Sequence, residues 1–178
     1  MKFEIKNRWS GELIFSIETE SWKLAVEAAI KSEANLSKAD LSCANLSKAD
    51  LSCANLSEAN LSKANLSCAN LSTIRNDVWA VLLFAPNEVM DLRKALIDGK
   101  VDGSVYEGEC ACLVGTIAKS RSCKPDLLPE AIRPDSGRAA ERFFMGIKKG
   151  DTPETNQVSK IAVEWIDTWL EQMKVVHA

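Results

Sequence analysis

The sequence predicts an α+β protein built around a short four-sided coil of about two turns, capped by a β-hairpin and helix on one side and a mainly helical domain on the other. Three observations carry this. Residues 34–73 are eight tandem five-residue copies, ANLSK, ADLSC, ANLSK, ADLSC, ANLSE, ANLSK, ANLSC and ANLST, and a fixed short period decides architecture before any other signal. Apolar residues alternate before the block and recur at helical spacing after it. The chain has 178 residues and is 46% hydrophobic, enough to bury a core. The expected divisions are residues 1–33 for the hairpin and capping helix, 34–73 for the repeats and 74–178 for the helical domain.

Leucine recurs at 36, 41, 46, 51, 56, 61, 66 and 71. A five-residue step turns a side chain about 140° around an α-helix, so a helix would scatter these leucines over every face. In a flat strand an odd step points successive leucines to opposite faces. The backbone must therefore turn once per repeat, with Ala and Leu inward and Asn/Asp, Ser and the fifth residue outward. Four sides close a coil every twenty residues, which places Lys38 by Glu58, Asp40 by Asn60, Cys43 by Lys63 and Lys48 by Cys68. No cysteine then stacks on another, so Cys43, Cys53 and Cys68 are expected as outward thiols. Two coils are too short to stand alone, so the flanking segments must cap them.

Before the repeats, Phe3 and Ile5, then Leu13, Phe15 and Ile17 after a Trp9-Ser10-Gly11 turn, predict a hairpin. Ser21 is the expected N-cap of a helix to about Lys31, with Trp22, Val26, Ala29 and Ile30 on one face, covering the first coil. After the repeats, Asp77 is expected to cap an apolar segment ended by Ala85-Pro86, and Asn87 to cap a helix stopped at Gly99. Residues 101–104 read as a turn, 110–118 as a helix broken by Gly115, and 119–136 as a loop. Ser136 is the expected cap of a helix through Phe143 and Phe144. Residues 148–156 read as a loop, and Ile161, Trp165, Trp169 and Met173 mark a closing amphipathic helix.

On its AN/DLSx copies the block resembles the pentapeptide-repeat family. The resemblance implies a right-handed quadrilateral β-helix with Leu and Ala in its core. Members of that family range from DNA mimics that bind topoisomerases to proteins of no known role. A second resemblance covers roughly residues 77–170. Asp102-Gly103-Ser104, the run from Tyr106 through Thr116, Arg133-Pro134-Asp135-Ser136, Glu141-Arg142-Phe143-Phe144 and Gly150-Asp151-Thr152-Pro153-Glu154-Thr155 resemble a domain found behind pentapeptide repeats in bacteriophage and prophage proteins. It implies a phage origin and action against a host component.

The net charge of -3 argues for neither a basic nucleic-acid surface nor an acidic tail. No apolar run approaches the roughly twenty residues of a membrane span. Residues 1–6 do not resemble a signal peptide, and six cysteines without one suggest free thiols in a reducing cytoplasm. Cys110 or Cys112 as a nucleophile would need a base, and the one histidine is His177. Cys110, Cys112 and Cys123 make an incomplete zinc set. Neither a P-loop nor a dinucleotide-binding glycine motif is present. No metal, cofactor or catalytic residue is therefore expected.

The candidate ligand or partner residues are Arg138 and Arg142, expected on one helix face, with Lys148, Lys149, Tyr106 and Glu109 around them. Glu107, Glu109 and Asp102 are candidate partners of the arginines. Lys38, Lys48 and Lys63 balance Asp40, Asp50 and Glu58 in the repeats, and two coils span only about 10 Å, which disfavours DNA mimicry. The leading expectation is a non-enzymatic phage-type protein that binds and interferes with a bacterial host protein in the host cytoplasm, a defence system being one class of target. Its candidate surfaces are the repeat wall and loops 106–112 and 148–156. The alternatives are a module sequestering a small anionic ligand such as a nucleotide signal, a topoisomerase-binding DNA mimic, and an enzyme built on Cys110 or Cys112.

Overall fold

The computed structural model describes residues 1–56, 58–61 and 63–176, with side chains to Lys174. Strands β1 (Lys2–Lys6) and β2 (Leu13–Glu18) pair antiparallel, with Phe3 opposite Ile17 and Ile5 opposite Phe15. The alternation thus gives the hairpin one apolar face, and Phe3 meets Trp22 edge-on at 5.2 Å. Helix α1 (Trp22–Lys31) starts as expected, the Ser21 hydroxyl accepting from the Leu24 amide at 3.3 Å. It buries Ala25, Val26 and Ala29.

The repeats turn once every five residues. In each turn the Leu carbonyl accepts from the Ala amide of the next copy, as Leu36 does from Ala39 at 3.1 Å and Leu46 from Ala49 at 3.0 Å. The fifth residue takes a left-handed φ between 55 and 61° at Lys38, Cys43, Lys48, Glu58, Lys63 and Cys68, whereas Cys53, where the two coils join, does not. Asn or Asp stiffens the turn, its side-chain oxygen accepting from the Ser amide two residues on, as at Asp40–Ser42 and Asn65–Ser67. All eight leucines are buried.

Coils stack with a twenty-residue period. Parallel bridges join Asp40 to Asn60, Asn45 to Asn65 and Asp50 to Asn70. Above them runs a side-chain ladder in which the Asn55, Asn60 and Asn70 amides donate to Asn35, Asp40 and Asp50, each at 3.0 Å. Lys38 and Glu58 sit 4.0 Å apart on the same stack. Both N-terminal elements cap the first coil: the Lys6 carbonyl accepts from Asp40 at 2.8 Å, and the Glu27 carboxylate from the Asp50 amide at 2.9 Å.

Beyond the repeats the expected helices form, but several capping residues do other work. Helix α2 (Ser72–Leu83) grows directly out of the last copy, and its start has no side-chain cap. Asp77 therefore lies inside α2, and its carboxylate accepts from the Ala140 amide at 2.8 Å, capping α5 (Ala139–Phe144) instead. Helix α3 (Val89–Ile97) follows Glu88 rather than Asn87. The Glu88 carboxylate pairs with Arg121 at 2.9 and 3.1 Å, and Arg121 also donates to the Phe84 carbonyl at 2.7 Å.

Helix α4 (Leu113–Ser120) begins later than expected, with Cys112 as its N-cap. Gly115 does not break it. A Cβ there would lie 2.1 Å from the Tyr106 carbonyl, so glycine permits the close approach of the 102–112 loop. Two short 3-10 turns, Pro125–Leu127 and Glu130–Ile132, order the segment read as loop. Arg138, not Ser136, holds the N-cap position of α5. Helix α6 (Gln157–Val176) closes the fold, with Phe143 stacked on Trp165 at 5.2 Å and the Trp79 indole donating to the Trp165 carbonyl at 3.1 Å. Ile161 and Trp165 of α6 line a small cleft with Leu66, Ala69 and Leu71 at the end of the second coil. One hydrophobic cluster runs from Ile5 and Leu36 through Leu82 to Trp169, so repeats and helices share a core. Among the described residues, no helix is long and apolar enough to cross a membrane.

Candidate functional site

The structure separates the residues that the sequence grouped. Arg138 precedes the first turn of α5, so it shares no helix face with Arg142. Its guanidinium is spent internally, on Glu141 at 3.1 Å and on the Arg133 and Ala131 carbonyls at 3.2 and 2.9 Å. Arg142 is half-buried in α5. Glu109 pairs with Lys149 at 2.9 Å rather than with an arginine, and this ammonium holds its carboxyl below the usual carboxylate range. Lys148 is exposed, its amide donating to Asp151 at 2.8 Å. Asp102 accepts from the Ser104 hydroxyl at 2.5 Å, and Glu107 is exposed. The expected anion face thus becomes two places, a buried knot and a surface pair.

The knot centres on Glu141, only 4% exposed. One carboxylate oxygen accepts from the Asp135 amide at 3.0 Å and from Arg138 at 3.1 Å. Burial pushes this carboxyl above its ordinary value. Tyr106 stands beside it, and burial, followed by its hydrogen bonding to Glu141 and then the Glu141 charge, pushes the phenol up as well. Such a group ties loop 102–112 to α5, and its raised affinity for a proton comes from desolvation.

Cys112 is 2% exposed, burial pushes its thiol up to about 11, and its sulfur accepts from the Gly115 amide at 3.4 Å. A thiolate is the reactive form, so this sulfur is held in its inert state at neutral pH. Cys110 is buried, Cys123 half-buried, and all six cysteines are free, with Cys43, Cys53 and Cys68 exposed as expected. Among the described residues no group of His, Cys, Asp and Glu is placed to hold a metal. His177 lies outside the described residues.

A residue that sequence reasoning passed over stands out at the hairpin tip. Trp9 is 59% exposed, yet its backbone is fixed, because the Asn7 side chain accepts from the Trp9 and Ser10 amides at 2.9 and 3.1 Å. The Arg8 guanidinium lies 5.0 Å and the Lys38 ammonium 5.7 Å from its ring centroid. Arg8 also donates through its amide to the Lys38 carbonyl at 2.8 Å and through its guanidinium to the Glu58 carbonyl at 3.2 Å. The hairpin tip, the corner of both coils and two cations thus form one rigid surface. The available signal was an aromatic set between a cation and a turn glycine, outside the alternation that places Phe3 and Ile5 inside.

A five-residue unit stacking every twenty residues defines a tandem-repeat protein. Residues 32–67 match the family model described as pentapeptide repeats, in 8 copies, so this stretch is a pentapeptide-repeat region. That match does not extend into the helical part. No curated protein and no solved structure matches the chain.

Proposed function

We propose that this is a non-enzymatic interaction protein of phage type, which binds a bacterial host protein in the host cytoplasm and interferes with it, a defence system being one class of target. The stack is read with it as a right-handed quadrilateral β-helix serving as a rigid platform. The observation that supports the reading is Trp9, an exposed and pre-ordered aromatic flanked by Arg8 and Lys38 at the edge of the repeat wall. Tryptophan and arginine dominate the energetics of protein interfaces, and a side chain fixed beforehand loses little entropy on docking. The balanced charge of the repeats argues against the DNA-mimic alternative. Arg138, tied up by Glu141 and backbone carbonyls, argues against an anion site between the two arginines.

The test is affinity capture of the tagged protein from bacterial lysate, followed by mass spectrometry, in wild type and in Trp9→Ala. A host protein retained stoichiometrically by the wild type and lost from the variant is the expected result. A retained protein indifferent to Trp9→Ala would overturn this surface, and retention of nothing would overturn the interaction reading.

A further inference from the structure

Away from the repeats, a cleft of about 280 Å³ opens between α3 and α4. Its floor is small and apolar, with Ala95 and Ala111 beside Thr116, whose hydroxyl donates to the Ala111 carbonyl at 3.0 Å. Lys94, Lys100 and Lys119 stand around the opening with Asp98 and Glu109. The carboxylates hold the lysines in place. Asp98 accepts from Lys94 at 2.8 Å and from Lys100 at 3.4 Å, while Glu109 holds Lys149 at 2.9 Å from the far side. Lys119 donates to a backbone carbonyl, that of Glu109 at 2.8 Å, and among the described residues it pairs with no carboxylate. The remaining acid of the lining, Asp91, accepts from the Ser120 hydroxyl.

Each ammonium carries three donors, and Lys94, Lys100 and Lys119 each use one in these contacts. Donors are therefore left over at three neighbouring points, and Lys119, though near enough for its charge to help lower the Glu109 carboxyl, makes no direct ion pair with a carboxylate among the described residues. Counting Lys149, four cations face the three carboxylates of Asp91, Asp98 and Glu109. An apolar floor under a ring of anchored ammonium groups suits a ligand with a compact apolar or planar body and an anionic end rich in acceptors. We propose that this cleft binds a small phosphate-bearing ligand, with the phosphate among Lys94, Lys100 and Lys119 and the body of the ligand on Ala95 and Ala111. The site is independent of the Trp9 surface.

The test is isothermal titration of the full chain at low salt with adenosine monophosphate and pyrophosphate, using sulfate and adenosine as controls. Wild type should bind at least one phosphate probe saturably and more tightly than either control. Lys119→Ala should weaken that binding at least tenfold, whereas Lys148→Ala and Trp9→Ala should leave it unchanged. These lysines are exposed, so their variants keep the fold, which thermal melting verifies. No saturable binding of either phosphate probe, sulfate or adenosine binding as tightly, or full affinity in Lys119→Ala would each overturn the proposal. Loss of host-protein capture with intact phosphate binding would leave it standing.

Discussion

Glycine at Cys43 and glycine at Cys53 should move stability in opposite directions, although both cysteines are exposed fifth residues of identical ADLSC copies. Cys43 sits at φ 58°, in the left-handed region, whereas Cys53 does not. An L-residue there forfeits roughly 1–2 kcal/mol, which glycine avoids. Glycine in turn costs about 0.5–1 kcal/mol through the extra freedom of the unfolded chain. Both thiols are exposed, so burial changes little. The net expectation is about 0.5–1 kcal/mol of stabilisation for Cys43→Gly and a loss of similar size for Cys53→Gly, leaving the two variants about 1–2 kcal/mol apart. Urea unfolding under reducing conditions, followed by tryptophan fluorescence, reads this directly. With a slope of about 2 kcal/mol/M the midpoints should differ by roughly 0.5–1 M. Cys68→Gly, also at φ 58°, should follow Cys43→Gly. Equal shifts at 43 and 53 would refute the claim that one corner of the stack is built differently.

Two other predictions concern the helical part. Asp77→Ala should destabilise by about 0.5–2 kcal/mol, as loss of an N-cap does, through α5 rather than α2; hydrogen exchange should rise at residues 139–144, and a rise confined to α2 would contradict the cross-chain cap. Glu141 has a folded-state proton affinity raised by burial, so the native state binds the proton more tightly than the unfolded chain does. Its contribution is present on the acid side and lost as pH rises through the folded value. Wild type should therefore gain stability relative to Glu141→Gln as pH is lowered from 7 towards 5, and a flat or reversed difference in unfolding midpoints would show that this carboxyl is not the buried group described.

Period was the strongest signal in the sequence, because a five-residue step fits neither helix nor strand, and the stacking of Lys38 on Glu58 and Asp40 on Asn60 followed from counting by twenty. Ser21 was legible because a cap and the helix it starts are neighbours in the chain. Asp77, Asn87 and Ser136 were misread for the converse reason. Their residue type advertises a capping oxygen, but which amide it meets depends on what packs nearby, and Asp77 meets an amide 63 positions away. Arg138 and Arg142 failed as a pair because α5 starts one residue after Arg138. The cleft between α3 and α4 had no signature in the chain, since Lys94 of α3 and Lys100 just beyond it meet Lys119 of α4 and the later Lys149 only in the folded chain.

The sequence by itself determined what is local and repetitive: the turn in every five residues, the inward Ala and Leu, the ladder of Asn and Asp, and the helices marked by apolar spacing. Only the tertiary structure decided which charges are spent and which are presented. Arg138 and Arg8 are the same residue type, each in a turn or loop segment of the chain. One is drawn inward by a buried carboxylate and backbone carbonyls, while the other is laid over an exposed tryptophan. Burial and the partners brought from distant segments set that difference, because the strength of an ionic or polar contact depends on how much water remains around it.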